Sequence, residues 1–314
     1  MLTLLSNAPA GVVAAFATGL LDGWDNVPWQ QLIVNGLGLG ALYALTAFGI
    51  VLIYKTTDVI TFAQGEMAMF STFVAYTLLA KLRLPYGATF ALTLLFAGLL
   101  GVIVERVAMR PLTGSLLNPV IVTIGLGLIL TGMAGRIWGY DLKTFPSAVE
   151  GSPLRGGGVF LKRDDALILV VTAILMLVIF VFFRYTLTGT AMRAVAQNKL
   201  AARLMGINVN RINALGWGLG TALGAVTGLL IAPRNGLDPG MMGDVAVKAF
   251  AAAVLGGLSS LPGAVVGGLI LGVIDSIAGF REPGLKTTIA FVLIVLVLAI
   301  RPAGLLGKKV IKKV

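Results

Sequence analysis

The chain has 314 residues, enough for one or two soluble domains, but 58% are hydrophobic and only 12% are charged. A water-facing domain carries roughly 25% charged residues, so composition excludes an ordinary soluble protein. Net charge is +11 and there is neither cysteine nor histidine. Disulfides, thiolate nucleophiles and sulfur metal sites are therefore excluded, and the commonest general base and metal ligand is missing.

A spanning helix needs ~20 mainly apolar residues. Taken in chain order, residues 1–30 come first, apolar and small over Leu4–Leu21, without the basic start of a secretory signal. They read as an N-terminal extension: an extra span, a surface helix or a disordered start. Spans are expected over Gln31–Tyr54, Tyr86–Val107, Leu117–Trp138, Ala166–Phe183, Ile212–Ile231 and Lys286–Ile300, with a short segment at Met67–Ala80. Val247–Ala278 is too long for one crossing: ~48 Å of helix against a core of ~30 Å. Gly256, Gly257, Ser259, Ser260, Pro262 and Gly263 lie inside it, and such a cluster marks a break. The expected fold is an all-α, polytopic membrane bundle of about 8–9 spanning or broken helices.

Charge gives orientation, because cytoplasmic loops are enriched in Lys and Arg. Arg184, Arg193, Lys199, Arg203 and Arg211 occur in 184–211 without an acidic residue, and Arg301, Lys308, Lys309, Lys312 and Lys313 end the chain. Both segments are expected in the cytoplasm, the second including a basic tail over 308–314. Segments 55–65 and 106–116 then fall on the same side, and Gly139–Asp165, with balanced charge, on the outer side. The basic charge is thus read as membrane topology, with no nucleic-acid partner.

A faint internal repeat relates Gly38-Leu-Gly40 to Gly218-Leu-Gly220 and Phe70 to Phe250, an offset of 180 residues. Transporters are often built from internal repeats, although glycine-rich spans also match by chance.

Three segments are candidates for function. The first is the interruption Lys55–Glu66, with Thr61, Phe62, Gln64, Gly65 and Glu66. Unwound backbone at membrane depth is tolerated only where it is buried in protein or lines a cavity; the alternative is an ordinary capped cytoplasmic loop. The second is the break at Gly256 and Gly257, preceded by Lys248 with Asp244 as its expected counter-charge. Charges within spans, such as Lys248, Asp275 and Glu105, are costly and often functional, while small residues equally suit helix packing. The third is 188–208, where Ala191, Ala194, Val195, Ala201, Leu204 and Met205 recur at helical spacing among basic and amide residues, with Gly206 as a stop. Two short helices that dock in a partner's groove compete here with a lipid-surface helix. The mainly alanine face is a weak lipid anchor. No Gly-x4-Gly-Lys-Ser/Thr phosphate loop is present, so any ATP must be bound by another chain.

An ordered set of stretches then resembles one family. They are Asn35–Leu45, Phe62-Ala-Gln-Gly-Glu66, Arg110-Pro-Leu112, Thr123-Ile-Gly125, Ala191–Asn198, Ala201–Asn208, Lys248-Ala-Phe250, Val254–Leu258, Leu261–Ala264 and Arg301–Leu305. The chain resembles LivH-type inner-membrane permeases of branched-chain amino-acid ABC importers over about residues 31–307, which form the transmembrane domain. The resemblance implies an ATPase-coupling loop at 184–211, with Arg193, Gln197, Asn198, Ala201, Ala202, Arg203 and Gly206 in the coupling segment. It implies a translocation pathway near Thr61, Phe62, Gln64, Gly65, Glu66, Thr123, Gly125, Lys248, Gly256 and Gly257. Leu200 stands where such coupling motifs often carry an acid, and Gln64 where histidine is common, which speaks against a salt bridge and a pH-sensitive role at those two points.

The implied partners are a second, non-identical permease, two cytoplasmic ATP-binding subunits, and a periplasmic or extracellular solute-binding protein, in a bacterial inner membrane. The solute is expected to be a branched-chain amino acid, with urea and short amides as related cargoes, moved by alternating access. No cofactor or metal is implied, and the chain itself is not expected to be an enzyme. A stand-alone channel or secondary transporter is the alternative. A membrane enzyme would need a clearer carboxylate cluster than the sequence offers.

Overall fold

The computed structural model describes residues 27–112, 117–149, 153–156, 159–281, 284, 286–301 and 303–307. The proposed extension therefore lies outside the described residues up to residue 26, as does the tail over 308–314. The described helices are α1 (Trp29–Thr57), α2 (Gln64–Tyr76), α3 (Tyr86–Val104), α4 (Asn118–Trp138), α5 (Arg163–Tyr185), α6 (Leu187–Gln197), α7 (Lys199–Leu204), α8 (Val209–Asn235), α9 (Gly243–Gly256), α10 (Leu261–Arg281) and α11 (Lys286–Ile300). A π-turn over Thr77–Lys81 extends α2, and π and 3-10 turns carry α3 on to Leu112. Among the described residues six helices are long and apolar enough to cross a membrane: α1, α3 with its extension, α4, α5, α8 and α10. With the shorter α2, α9 and α11, this is the expected all-α polytopic bundle. Among the described residues strand is confined to an antiparallel pair, β1 (Leu154–Gly156) and β2 (Val159–Leu161), with Leu154 opposite Leu161.

The centre of the bundle is α1 and α8, both enclosed along most of their length. Between apolar helices in lipid there is little hydrophobic driving force, so close backbone packing and hydrogen bonds hold them together. The crossing of α1 with α10 shows how. A Cβ on Gly36 would lie 2.6 Å from Val273 Cα, and one on Gly40 2.8 Å from Leu269 Cα, while Gly268 and Gly272 meet the α1 backbone in return. Two Gly-x-x-x-Gly pairs thus bring the helices into backbone contact, which no larger residue permits.

The break in the long apolar run lies where the glycines and Pro262 predict it. Helix α9 ends at Gly256 and α10 begins at Leu261, with Gly256 against Gly263. The orphan carbonyls at the end of α9 accept from the chain beyond α11: Leu305 N donates to Leu255 O at 2.8 Å and Leu306 N to Gly256 O at 3.1 Å. Helix ends buried without such partners are costly.

Ties between helix ends separate two faces. At one end Lys199 pairs with Asp58 at 2.7 Å and Arg110 with Glu105 at 2.9 Å. This is the end that carries Lys55, Arg184, Arg211 and α6–α7. At the other, Gln31 and Phe160 exchange two 2.8 Å hydrogen bonds, Lys143 and Leu237 exchange two 2.9 Å backbone bonds, and Arg234 pairs with Asp165 at 2.9 Å.

The repeat suggested by the 180-residue offset has a structural counterpart. Shifted by that offset, α1 and α2 fall on α8 and α9 with nearly the same bounds. The two halves run in opposite directions. Thr46 bonds Thr227 at 3.0 Å, a Cβ on Gly49 would lie 2.8 Å from Gly220 O, and Gly216 packs on Thr56, so α8 descends in number as α1 ascends.

Candidate functional site

Each half of this repeat pairs a long helix with a short one, α2 or α9. The first turns of the short helices meet: a Cβ on Gly65 would lie 2.8 Å from Ala246 Cβ and 3.4 Å from Met242 O. The ring centroids of Phe62 and Phe250 are 5.5 Å apart. In transporters built from inverted repeats, solute sites form near the bilayer midplane between discontinuous helices of this kind.

The start of α2 lies well inside the bundle. Gln64 Nε2 donates to Gly220 O at 2.7 Å, a point ~17 Å along α8 from Val209 at 1.5 Å per residue. Gly49, also against Gln64, is ~12 Å from the end of α1 by the same measure. Against a hydrocarbon core of ~30 Å, the interruption between α1 and α2 reaches about midway.

Its side chains have distinct surroundings. Thr61 is buried, and its hydroxyl accepts from Ala63 N at 3.3 Å. Phe62 is 45% exposed, and its backbone N–H donates to the Thr123 hydroxyl on α4 at 3.3 Å. Gln64 is buried, with Oε1 lacking a hydrogen-bond partner among the described residues. Glu66 lies over Gly127 of α4, where a Cβ would be 3.3 Å from its carboxyl carbon. Its Oε2 is enclosed and also without a hydrogen-bond partner among the described residues. No side chain caps the first turn of α2. A Cβ on Gly125, an expected pathway residue, would meet nothing within 4 Å, so it borders open space.

Lys248 belongs to a second cluster. It is 2% exposed, 2.8 Å from Asp244 on its own helix and 2.9 Å from Asp275 on α10. The Tyr43 hydroxyl of α1 donates to Asp275 at 3.0 Å, and the ammonium lies 5.7 Å from the Tyr43 ring centre. Thr287 of α11 donates to Asp244 at 3.4 Å. Sequence reading offered Asp244 as the counter-charge; Asp275 is the buried one, and Tyr43 carried no signal. Gly256 and Gly257 do not join this cluster. Gly257 has φ +100° and packs against Ala303 and Gly307.

At the basic end, α6 and α7 stand outside the bundle. Successive caps hold them: Thr186 accepts from Gly189 N at 3.0 Å, Asn198 from Ala201 N at 2.9 Å and Asn208 from Arg211 N at 3.1 Å. Gly206, at φ +80°, turns the chain between α7 and α8. Met192, Val195 and Ala202 pack inward with Val209 and Ile212 as a small separate core. Arg193, Gln197, Asn198, Ala201, Arg203 and Gly206 all face out. The expected apolar set splits: Val195 is buried whereas Leu204 is 81% and Met205 82% exposed, and Leu200 beside them is 67% exposed. Between this segment and the ends of α1 and α3 lies a cavity of about 380 Å³ lined by Asp58, Glu105, Arg110, Lys199 and Arg203. Among the described residues no cluster of acidic side chains has metal-ligand geometry.

A polytopic bundle with paired broken helices, buried charge and an exposed helical loop defines the class, a membrane permease. Residues 32–298 match the family described as the branched-chain amino acid transport system / permease component. The chain belongs to this family. It is 37% identical over 301 residues, covering 91% of this chain and 98% of the relative, to the high-affinity branched-chain amino acid transport system permease protein BraD of Pseudomonas aeruginosa. Over 300 residues it is 35% identical to LivH of the same kind of system in Escherichia coli K12, covering 90% of this chain and 97% of that protein. The probable LivH of Methanocaldococcus jannaschii is 30% identical over 303 residues, covering 88% and 93%.

Proposed function

We propose that the chain is the pathway-forming subunit of an ATP-driven importer, carrying branched-chain amino acids or similarly small polar solutes by alternating access. ATP is hydrolysed on separate cytoplasmic subunits, a solute-binding protein delivers cargo from outside, and a second permease completes the pathway. In this reading 184–211 and the C-terminus lie in the cytoplasm.

One observation carries the ATP-driven reading: the exposed α6–α7 pair. Leu200, Leu204 and Met205 present large apolar side chains beside Arg193 and Arg203, which suits an apolar anchor with a charged rim. Caps at both helix starts and the small core beneath make the pair rigid enough to transmit movement to α5 and α8. A stand-alone carrier would leave that face without a role. The relatives' names support the solute class, and the convergence of α2 with α9 supports a pathway around Phe62, Glu66 and Thr123.

The test is a mild-detergent pull-down of the tagged chain, with mass spectrometry of what accompanies it. Recovery of a soluble nucleotide-binding subunit and a second permease is expected. A chain that purifies alone and still moves solute in liposomes would replace the importer with a channel or secondary carrier.

A further inference from the structure

Glu66 is the one acidic residue in the first turn of α2, and that turn begins about midway through the bundle. A charged side chain at such depth costs several kcal/mol unless it is paired or serves a pathway. The buried charges elsewhere are paired, whether within the bundle or near its ends: Lys248 with Asp244 and Asp275, Asp165 with Arg234, Glu105 with Arg110. Glu66 makes no ion pair among the described residues, and its Oε2 is enclosed without a hydrogen-bond donor. Gly127 gives it room, because a Cβ there would crowd the carboxyl carbon at 3.3 Å. Four residues earlier, Phe62 is held by its backbone bond to Thr123 and is 45% exposed.

A carboxylate with one enclosed oxygen that lacks a donor, four residues from an exposed aromatic ring, complements a small cation with an apolar body. We propose that Glu66 receives the ammonium group of a zwitterionic solute at the bilayer midplane, with Phe62 against its apolar side chain. This rests on the importer reading above and adds the chemistry of the contact. Glu66 thereby discriminates amines from acids: an ammonium supplies the missing donor, whereas a carboxylate brings a second negative charge to a site of low dielectric.

The experiment uses the assembled transporter in liposomes with L-leucine as the transported probe. Two fragments are added from the cytoplasmic side: isopentylamine, which keeps the ammonium, and 4-methylpentanoate, which keeps the carboxylate. Glu66→Gln is expected to leave assembly intact, read by co-purification of the subunits, while leucine uptake falls roughly tenfold or more, the worth of one charge-assisted contact. Glu66→Asp is expected to recover part of the loss. Isopentylamine should inhibit wild type but not Glu66→Gln, and 4-methylpentanoate should inhibit neither. Leucine uptake by Glu66→Gln at the wild-type rate, or equal inhibition by the two fragments, would overturn the subsite alone. A wild-type complex that moves no leucine, yet whose ATPase responds to isopentylamine only when Glu66 is present, would sink the solute assignment and uphold the subsite.

Discussion

Lys248 of α9 and Asp275 of α10 form an ion pair at 2.9 Å, with side chains only 2% and 3% exposed. The pair joins a half-length helix to a full span, and Tyr43 ties both to α1. Asp244, whose side chain is 60% exposed, offers Lys248 a second partner one turn away.

Removing one member of a buried pair strands the other. Lys248→Met is therefore expected to destabilise the detergent-solubilised protein by about 3–5 kcal/mol, read as a lower thermal midpoint. The double variant Lys248→Met/Asp275→Asn should recover much of that loss, because no buried charge is left unpaired. A double variant that melts below the single one would show that the cluster does more than neutralise itself.

The turn at Gly206 is a second point of sensitivity. Its φ of +80° is closed to proline, whose ring fixes φ near −65°. Gly206→Pro should reorient α7 while leaving the bundle inserted, so that ATP hydrolysis continues without uptake. Unchanged uptake would remove the coupling role assigned to this loop.

Leu204 tests the same surface by affinity. It is 81% exposed, so Leu204→Asp costs the isolated chain little. Docking of an ATP-binding subunit should weaken roughly tenfold or more, as at an interface hot spot. Binding measured by co-purification or light scattering decides it; unaltered affinity would move the docking face elsewhere.

Orientation is open to direct labelling because the chain has no native cysteine. Gln197→Cys should react with an impermeant thiol reagent only from the cytoplasmic side. Leu142→Cys, next to the Lys143–Leu237 bridge at the opposite end, should react only from outside. The reverse pattern would invert the topology.

The crossing of α1 with α10 depends on backbone contact. Gly40→Leu would drive a side chain into Leu269, where even a Cβ comes within 2.8 Å of the Cα. Overpacking of this kind typically costs about 1–3 kcal/mol. A thermal midpoint equal to wild type would mean that the helices can separate without penalty.

Spans, interruptions and the basic end were legible because each follows from composition along the chain: apolar length sets the spans, Gly and Pro the break after Gly256, Lys and Arg the charged face. Helix α9 starts at Gly243, four residues before the apolar run from Val247; its first turn carries Asp244 and is polar. Contacts between distant segments were not legible. Nothing local marks Asp275 as the partner of Lys248, Tyr43 as its neighbour, or Gly127 as the space for Glu66. Nor does alternation of apolar residues in α6 and α7 tell which of them turn inward, since Met192 and Ala202 pack while Leu204 and Met205 face out. The faint 180-residue echo became an inverted repeat only through the antiparallel contacts of Thr46 with Thr227 and Gly49 with Gly220.

The most direct test of the central claim is uptake of radiolabelled leucine into proteoliposomes holding this chain, its partner permease and the ATP-binding subunits, with binding protein outside. The account predicts accumulation that requires ATP within and stops when the ATP-binding subunits are omitted. Equilibration of leucine at the same rate without ATP or those subunits would contradict it and make the chain a channel or secondary carrier.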